Sequence, residues 1–175
     1  MDGAEVVLKT ILSRRSIRRY TEHKLTREEI EALLDAAMAA PSANNKRPWH
    51  FVVVQEAEGR LALSQVHRWA RMIADAPLAI AVCAENEANE FWIDDCSAAT
   101  ENILLAAEAM GLGGVWIGIH ATASYQAAVR EILRLPSGIG VHCLLAIGHP
   151  AEKRPAYGKH DSARAHWERW ETPIQ

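Results

Sequence analysis

The chain alternates between two hydrophobic periods, and the switches mark its elements. Val6, Val7, Ile11 and Leu12 recur at helical spacing and predict a helix over residues 5–13. A second helix opens at Thr26-Arg27-Glu28-Glu29, a capping box in which the Thr26 hydroxyl and Glu29 carboxylate satisfy each other's backbone N–H groups. It runs through Ile30, Leu33, Leu34, Ala37 and Met38 and stops before Pro41. Residues 41–48 are rich in turn formers and lead into Trp49-His50-Phe51-Val52-Val53-Val54, a strand by its aromatic and β-branched content. A helix is expected over residues 59–73, then a uniformly apolar strand over residues 78–83, which reads as buried on both faces.

Residues 89–110 carry the longest helical pattern, apolar or small on most sides, so burial is expected, including against a second copy of itself. Gly111 is the expected C-terminal stop. Residues 112–120 form a strand with three glycines, a costly composition unless a backbone or ligand approaches closely. A short helix over residues 125–135 ends at Pro136, and residues 141–148 make a last buried strand that breaks at Gly148-His149-Pro150. The remaining tail is charged, with Trp167 and Trp170 at helical spacing, an anchor for its own domain or for a partner subunit. Four strands among helices predict one α+β or α/β domain.

Composition narrows the function classes. A chain of 175 residues suits one domain, and a formal net charge of -3 argues against a general nucleic-acid binder, which needs a broad basic face. Cys83, Cys96 and Cys143 are odd in number and sit in apolar contexts, pointing to buried thiols and a cytoplasmic protein. No apolar run approaches a membrane span, and the acidic N-terminus is not followed by a signal-type core. His120, His142 and His149 match no common ligand spacing and are expected to be structural rather than metal ligands. Gly111-Leu112-Gly113-Gly114 lacks the helix start and the acidic residue of a dinucleotide fingerprint. Asp94 and Asp95, adjacent on a helix, point apart and are assigned solvated or capping roles. Phe91 and Trp92 are candidates equally for a pocket wall and for ordinary packing.

The densest positive cluster is Arg14-Arg15-Ser16-Ile17-Arg18-Arg19-Tyr20. Planar guanidinium forks around a hydroxyl suit phosphate oxygens. Arginines are also favoured at a solvated helix end, and spacing alone leaves both readings open.

Four segments in register then carry a resemblance. Arg14-Arg15-Ser16-Ile17-Arg18, Ala40-Pro41-Ser42-Ala43-Asn44-Asn45 with Pro48-Trp49, Gly111-Leu112-Gly113 before Trp116-Ile117-Gly118, and Ala146-Ile147-Gly148-His149-Pro150-Ala151-Glu152 together resemble the FMN-dependent nitroreductase family. The resemblance covers residues 8–170. It implies an α+β, three-layer fold with a mainly antiparallel central sheet flanked by helices. It further implies that residues 1–175 form one FMN-binding domain and that two copies share their sites as a homodimer, with residues 151–175 as an extension packing on the partner. By the same resemblance Arg14, Arg15, Ser16 and Arg18 contact the flavin, Pro41, Ser42 and Asn45 reach it from the other subunit, and Gly118 presents a backbone N–H near flavin N5. Lys159, and after it Arg154, match the tail's phosphate ligand. The implied chemistry is ping-pong hydride transfer from NADH or NADPH through FMN to a nitroaromatic, a quinone or another small oxidant, with no side chain needed as acid or base. A flavin store or redox-sensing module on the same scaffold is the alternative.

The residue types fit this independently. An FMN phosphate carries about two negative charges and needs several charge-assisted donors, and a glycine at position 118 lets main chain approach a ring. Arg47 and Ile119 depart from the family's usual residues, Arg47 adding positive charge beside the Pro41 loop. Substrate choice is expected to lie in variable segments 66–72 and 85–92.

Overall fold

The computed structural model describes residues 2–85, 90–155 and 161–170. Nine regular elements follow in order: α1 (Gly3–Ser13), α2 (Arg27–Met38), β1 (Trp49–Val54), α3 (Ala57–Ser64), β2 (Leu78–Glu85), α4 (Trp92–Ala109), β3 (Gly113–Gly118), α5 (Ala123–Leu133) and β4 (Ile139–Gly148). The strands form one sheet in the order β1-β2-β4-β3, and every neighbouring pair is antiparallel. The architecture is α+β, as the resemblance implied.

The sheet divides the core into two layers because side chains alternate across it. On β2, Leu78, Ile80 and Val82 join Leu33 and Ala37 of α2 and Cys96, Ala99, Ile103 and Ala107 of α4 on one face. Ala79, Ala81 and Cys83 face the other way, toward Leu63, Ile73, Val129 and, on β3, Val115 and Ile117. β2 is therefore apolar on both faces, which is why its sequence is a continuous run rather than an alternation. The three cysteines are buried free thiols. Among the described residues no helix is long and apolar enough to cross a membrane.

Sequence signals act locally as expected at several joints. The α2 capping box forms in both directions, Glu29 N–H to the Thr26 hydroxyl at 3.2 Å and Thr26 N–H to the Glu29 carboxylate at 2.7 Å. Gly111 follows α4 with φ +75°, a conformation that favours glycine. The alanine-rich faces of α2 and α4 meet closely, tied by Asn102 Nδ2 donating to the Ala36 carbonyl at 2.9 Å.

Two expectations are corrected. The helix over residues 59–73 is broken: α3 stops at Ser64, and only a single 3₁₀ turn, Arg71–Ile73, follows. Side chains compete with the helical ladder there. The Ser64 hydroxyl donates back to the Leu61 carbonyl, and the Trp69 N–H donates to His67 Nδ1. Leu63, Ala70 and Ile73 remain buried, so the periodicity survives the break. In the tail, Trp167 and Trp170 lie on no α-helix; the described part has one 3₁₀ turn, Ser162–Arg164, and Trp170 is 79% exposed.

Candidate functional site

The candidate site is built on the free edge of β3. The arginine segment leaves α1 and lies alongside that edge, where Ser16 bridges Gly114 in parallel and the Ile17 N–H donates to the Gly114 carbonyl at 3.1 Å. Gly113 permits this approach, because a Cβ there would stand 2.7 Å from the Ile17 Cβ. Tyr20 clamps the segment from behind, its hydroxyl within reach of the carbonyls of Ile17 and Ala146, and burial pushes that phenol's pKa up.

The direction of each backbone group along β3 follows from this contact. The N–H and C=O of one residue point to the same side of a strand, and the side alternates. Gly114 turns its carbonyl outward to Ile17, so Trp116 and Gly118 also turn theirs outward, while Val115 and Ile117 face β4. Past the strand end the Ile119 and His120 N–H groups both donate to the His142 carbonyl at 3.1 Å, so the alternation ends after Gly118. Gly118 is exposed, and among the described residues no atom lies within 4 Å of where its Cβ would be, so nothing among them requires a glycine there.

Beside this edge is a cavity of about 770 Å³, lined by Arg18, His67, Arg68, Trp69, Met72, Tyr125 and residues 115–118. Its size is in the range of small-molecule sites. A larger cleft of about 1070 Å³ adjoins it at Arg18, but it is lined by charges of both signs, including Arg19, Lys24, Glu22, Glu56 and Asp75, and does not reach Gly118. The smaller cavity has the aromatic walls and outward backbone groups that a planar ring requires.

The arginines divide their work. The Arg14 Nε pairs with Glu101 on α4 at 3.1 Å. Arg15 is buried; its Nε donates to the Pro155 carbonyl at 2.8 Å and another nitrogen to the Arg14 carbonyl, which sews the segment to the start of the tail. Arg18 is exposed at the cavity, with one nitrogen 3.3 Å from the Ser16 carbonyl. The Arg18 backbone N–H donates to the Glu152 carboxylate at 2.7 Å, and this bond first of all holds the Glu152 carboxyl below the usual carboxylate range. Glu152 in turn pairs with Arg154 at 3.1 Å. Lys159 lies outside the described residues.

The second expected segment, Pro41, Ser42 and Asn45, does not line the cavity. It is held in one shape by an unforeseen residue: the carboxylate of Asp95, buried in the first turn of α4, accepts from the Ala43 N–H at 2.8 Å. This corrects the solvated or capping role assigned to Asp95. The Ser42 hydroxyl accepts from the Arg47 N–H at 2.9 Å. Asn44, Asn45 and Arg47 all take left-handed conformations, with φ between 49° and 54°, a strain that persists only where surroundings impose it. Segment 66–72 contributes to the cavity as expected, whereas Trp92 packs against the α2–α4 core and Tyr125, which no sequence signal singled out, forms a wall. His142 is structural, fully buried between the rings of His120 and Trp116.

The described residues fit FMN in kind: a hydroxyl and guanidinium groups for a phosphate, outward backbone groups and an uncluttered glycine for a ring edge, and aromatic walls. Comparison with known proteins agrees with this composition. The model of the Nitroreductase family matches residues 11–70 and 60–149. A protein of Archaeoglobus fulgidus named as a candidate NADH dehydrogenase/NAD(P)H nitroreductase is 41% identical, over 95% of this chain and 99% of its own. The FMN-dependent nitroreductase of Clostridium difficile superposes with a TM-score of 0.89 at 33% identity, covering 93% of this chain and 99% of that one. A candidate nitroreductase of Desulfovibrio desulfuricans, solved in complex with FMN, gives a TM-score of 0.76 at 31% identity, with 88% and 91% covered.

Proposed function

We propose, since this chain belongs to the nitroreductase family, that it is an FMN-dependent oxidoreductase that takes reducing equivalents from NADH or NADPH. The observation that supports this most is the exposed backbone of Gly118 at the mouth of an aromatic cavity that also holds the Arg18 side chain. In this reading Ser16 and Arg14, with Lys159 and Arg154 from the tail, hold the phosphate, and the Gly118 N–H donates to the ring. Arg15 acts mainly by fixing the segment against Pro155. A positive group near the pyrimidine edge favours the extra negative charge of the reduced ring, and Arg18 is the residue assigned to it.

When bound, FMN supplies two-electron hydride chemistry, accepting from NAD(P)H and passing to a second substrate in alternate half-reactions. The protein binds and orients, and no side chain is assigned as acid or base. The second substrate is a nitroaromatic, a quinone or another small oxidant.

The working form is a homodimer of single-domain subunits in the cytoplasm. Its support is α1, which buries no residue and exposes Val6, Val7, Leu8, Ile11 and Leu12, a contiguous apolar face of the kind that a partner covers. In the dimer Pro41, Ser42 and Asn45 reach the partner's flavin, and the tail with Trp167 and Trp170 packs across the interface.

Replacing Arg14 and Ser16 together by Ala tests the assignment. The expected protein is folded and loses FMN on dialysis, whereas FMN affinity equal to that of the unmodified chain would refute it. Sustained NAD(P)H oxidation with a nitroaromatic or quinone acceptor separates the enzyme from a flavin store, which would be yellow but would not turn over.

A further inference from the structure

The lining of the β3 cavity carries charge of one sign only. Arg18 and Arg68 line it, and no Asp or Glu does among the described residues. Arg68 lies over the Trp69 ring with its guanidinium carbon 4.9 Å from the centroid, within cation–π distance of an aromatic face. Among the described residues no carboxylate pairs with Arg68 at salt-bridge distance, and Trp69 is 65% exposed although it is large and apolar. His67 beside them adds no fixed charge: burial first, then Arg68, pushes its pKa down, and its Nδ1 already accepts from the Trp69 N–H at 3.0 Å. At about 770 Å³ the cavity is toward the upper end of ordinary small-molecule sites, leaving room for a second planar ring beside a first.

We propose that Arg68 and Trp69 form the acceptor-selecting wall of the site, with Trp69 stacking the ring of a planar aromatic substrate and Arg68 binding a carboxylate carried by that ring. The preferred second substrate is thus an aromatic anion. This rests on the reading above that a flavin reduced by NAD(P)H lies in the cavity against Gly118. Trp69 supplies stacking area that any planar acceptor can use; Arg68 supplies discrimination, because a charge-assisted hydrogen bond to a carboxylate is absent for a neutral analogue.

The test uses the full chain loaded with FMN and compares 4-nitrobenzoate with the neutral 4-nitrobenzyl alcohol. The unmodified enzyme is expected to favour the anion in kcat/KM. Arg68→Gln should reduce that preference about tenfold, the size of one charge-assisted hydrogen bond, chiefly through KM, and Arg68→Lys should restore part of it. Trp69→Leu should lower kcat/KM for both acceptors alike. The preference should also fall as salt is raised. FMN content should be unchanged in the Arg68 variants. No preference in the unmodified enzyme, an unchanged preference in Arg68→Gln, or loss of FMN in that variant would overturn the proposal, the last by making Arg68 a cofactor ligand. A colourless unmodified protein that cannot be loaded with FMN would overturn the flavin reading together with this one, and is recognised before any variant is made.

Discussion

His142 makes the fold acid-sensitive by an amount that can be worked out. Its ring is almost fully buried on β4. Nε2 lies 3.3 Å from the Ser97 hydroxyl, which itself donates to the Ile93 carbonyl, and Nδ1 has no hydrogen-bond partner among the described residues. A second ring proton would have no acceptor, and burial first, then the neighbouring His120, brings the pKa down from 6.5 to about 4. A folded-state pKa below the unfolded one means that protons bind the unfolded chain better. The contribution is therefore fully present above pH 6.5 and is lost as pH falls toward 4. At about 1.36 kcal/mol per unit, linkage gives a loss of about 2 kcal/mol by pH 5 and about 3 kcal/mol by pH 4. His142→Phe keeps a ring for the Trp116 edge contact, leaves the Ser97–Ile93 bond intact and removes the titration. Urea unfolding of the apo protein at about pH 7.5 and about pH 5 should show the unmodified chain losing about 2 kcal/mol more than the variant. Parallel losses in the two proteins would refute the assignment.

Asp95→Ala should cost about 1–3 kcal/mol by leaving the Ala43 N–H without its buried acceptor; urea midpoints and faster proteolysis within residues 41–48 measure it, and an unchanged midpoint would count against the anchor. Gly113→Ala should destabilise by about 1–3 kcal/mol through its clash with Ile17. Gly118→Ala should stay within about 0.5 kcal/mol of the unmodified protein yet weaken FMN binding in a fluorescence titration, and the reverse pattern would sink the edge-strand account. Leu8→Glu with Leu12→Glu, on the exposed face of α1, should weaken the dimer at least about tenfold by sedimentation; an unmodified protein that is monomeric and still holds FMN tightly would refute the shared-interface model.

The sequence is most legible where one local rule acts alone. The Thr26–Glu29 capping box, the stop at Gly111 and the buried run of β2 each need only neighbouring residues, and each forms. Segment 59–73 fails because the period of Leu63, Ala70 and Ile73 reports which side chains go inward, not whether the backbone between them stays helical. The arginine cluster and Gly118 could be picked out because their composition is unusual. Asp95 could not: an acidic residue in a helix's first turn is commonplace, and its partner Ala43 lies 52 residues away. Tyr125 belongs to the same class, since only the topology brings α5 to the edge of β3.

That topology also explains why the site is where it is. β3 is an edge strand, and an edge leaves a row of outward N–H and C=O groups that natural proteins cover or blunt. The arginine segment covers the first outward position, at Gly114, and no backbone hydrogen bond described reaches the outward groups of Trp116 or Gly118. Two of the strand's three glycines thus mark different closures. Gly113 lets the chain itself approach, within 2.7 Å of where a Cβ would be, while among the described residues nothing lies within 4 Å of where a Gly118 Cβ would be. In the proposed function, a planar ring with acceptor atoms on its edge completes the hydrogen bonding of β3 where the polypeptide stops. The same segment that covers Gly114 also brings Arg18 to the cavity, so on the proposed function the capping of an exposed edge and the building of a cofactor site are one structural event.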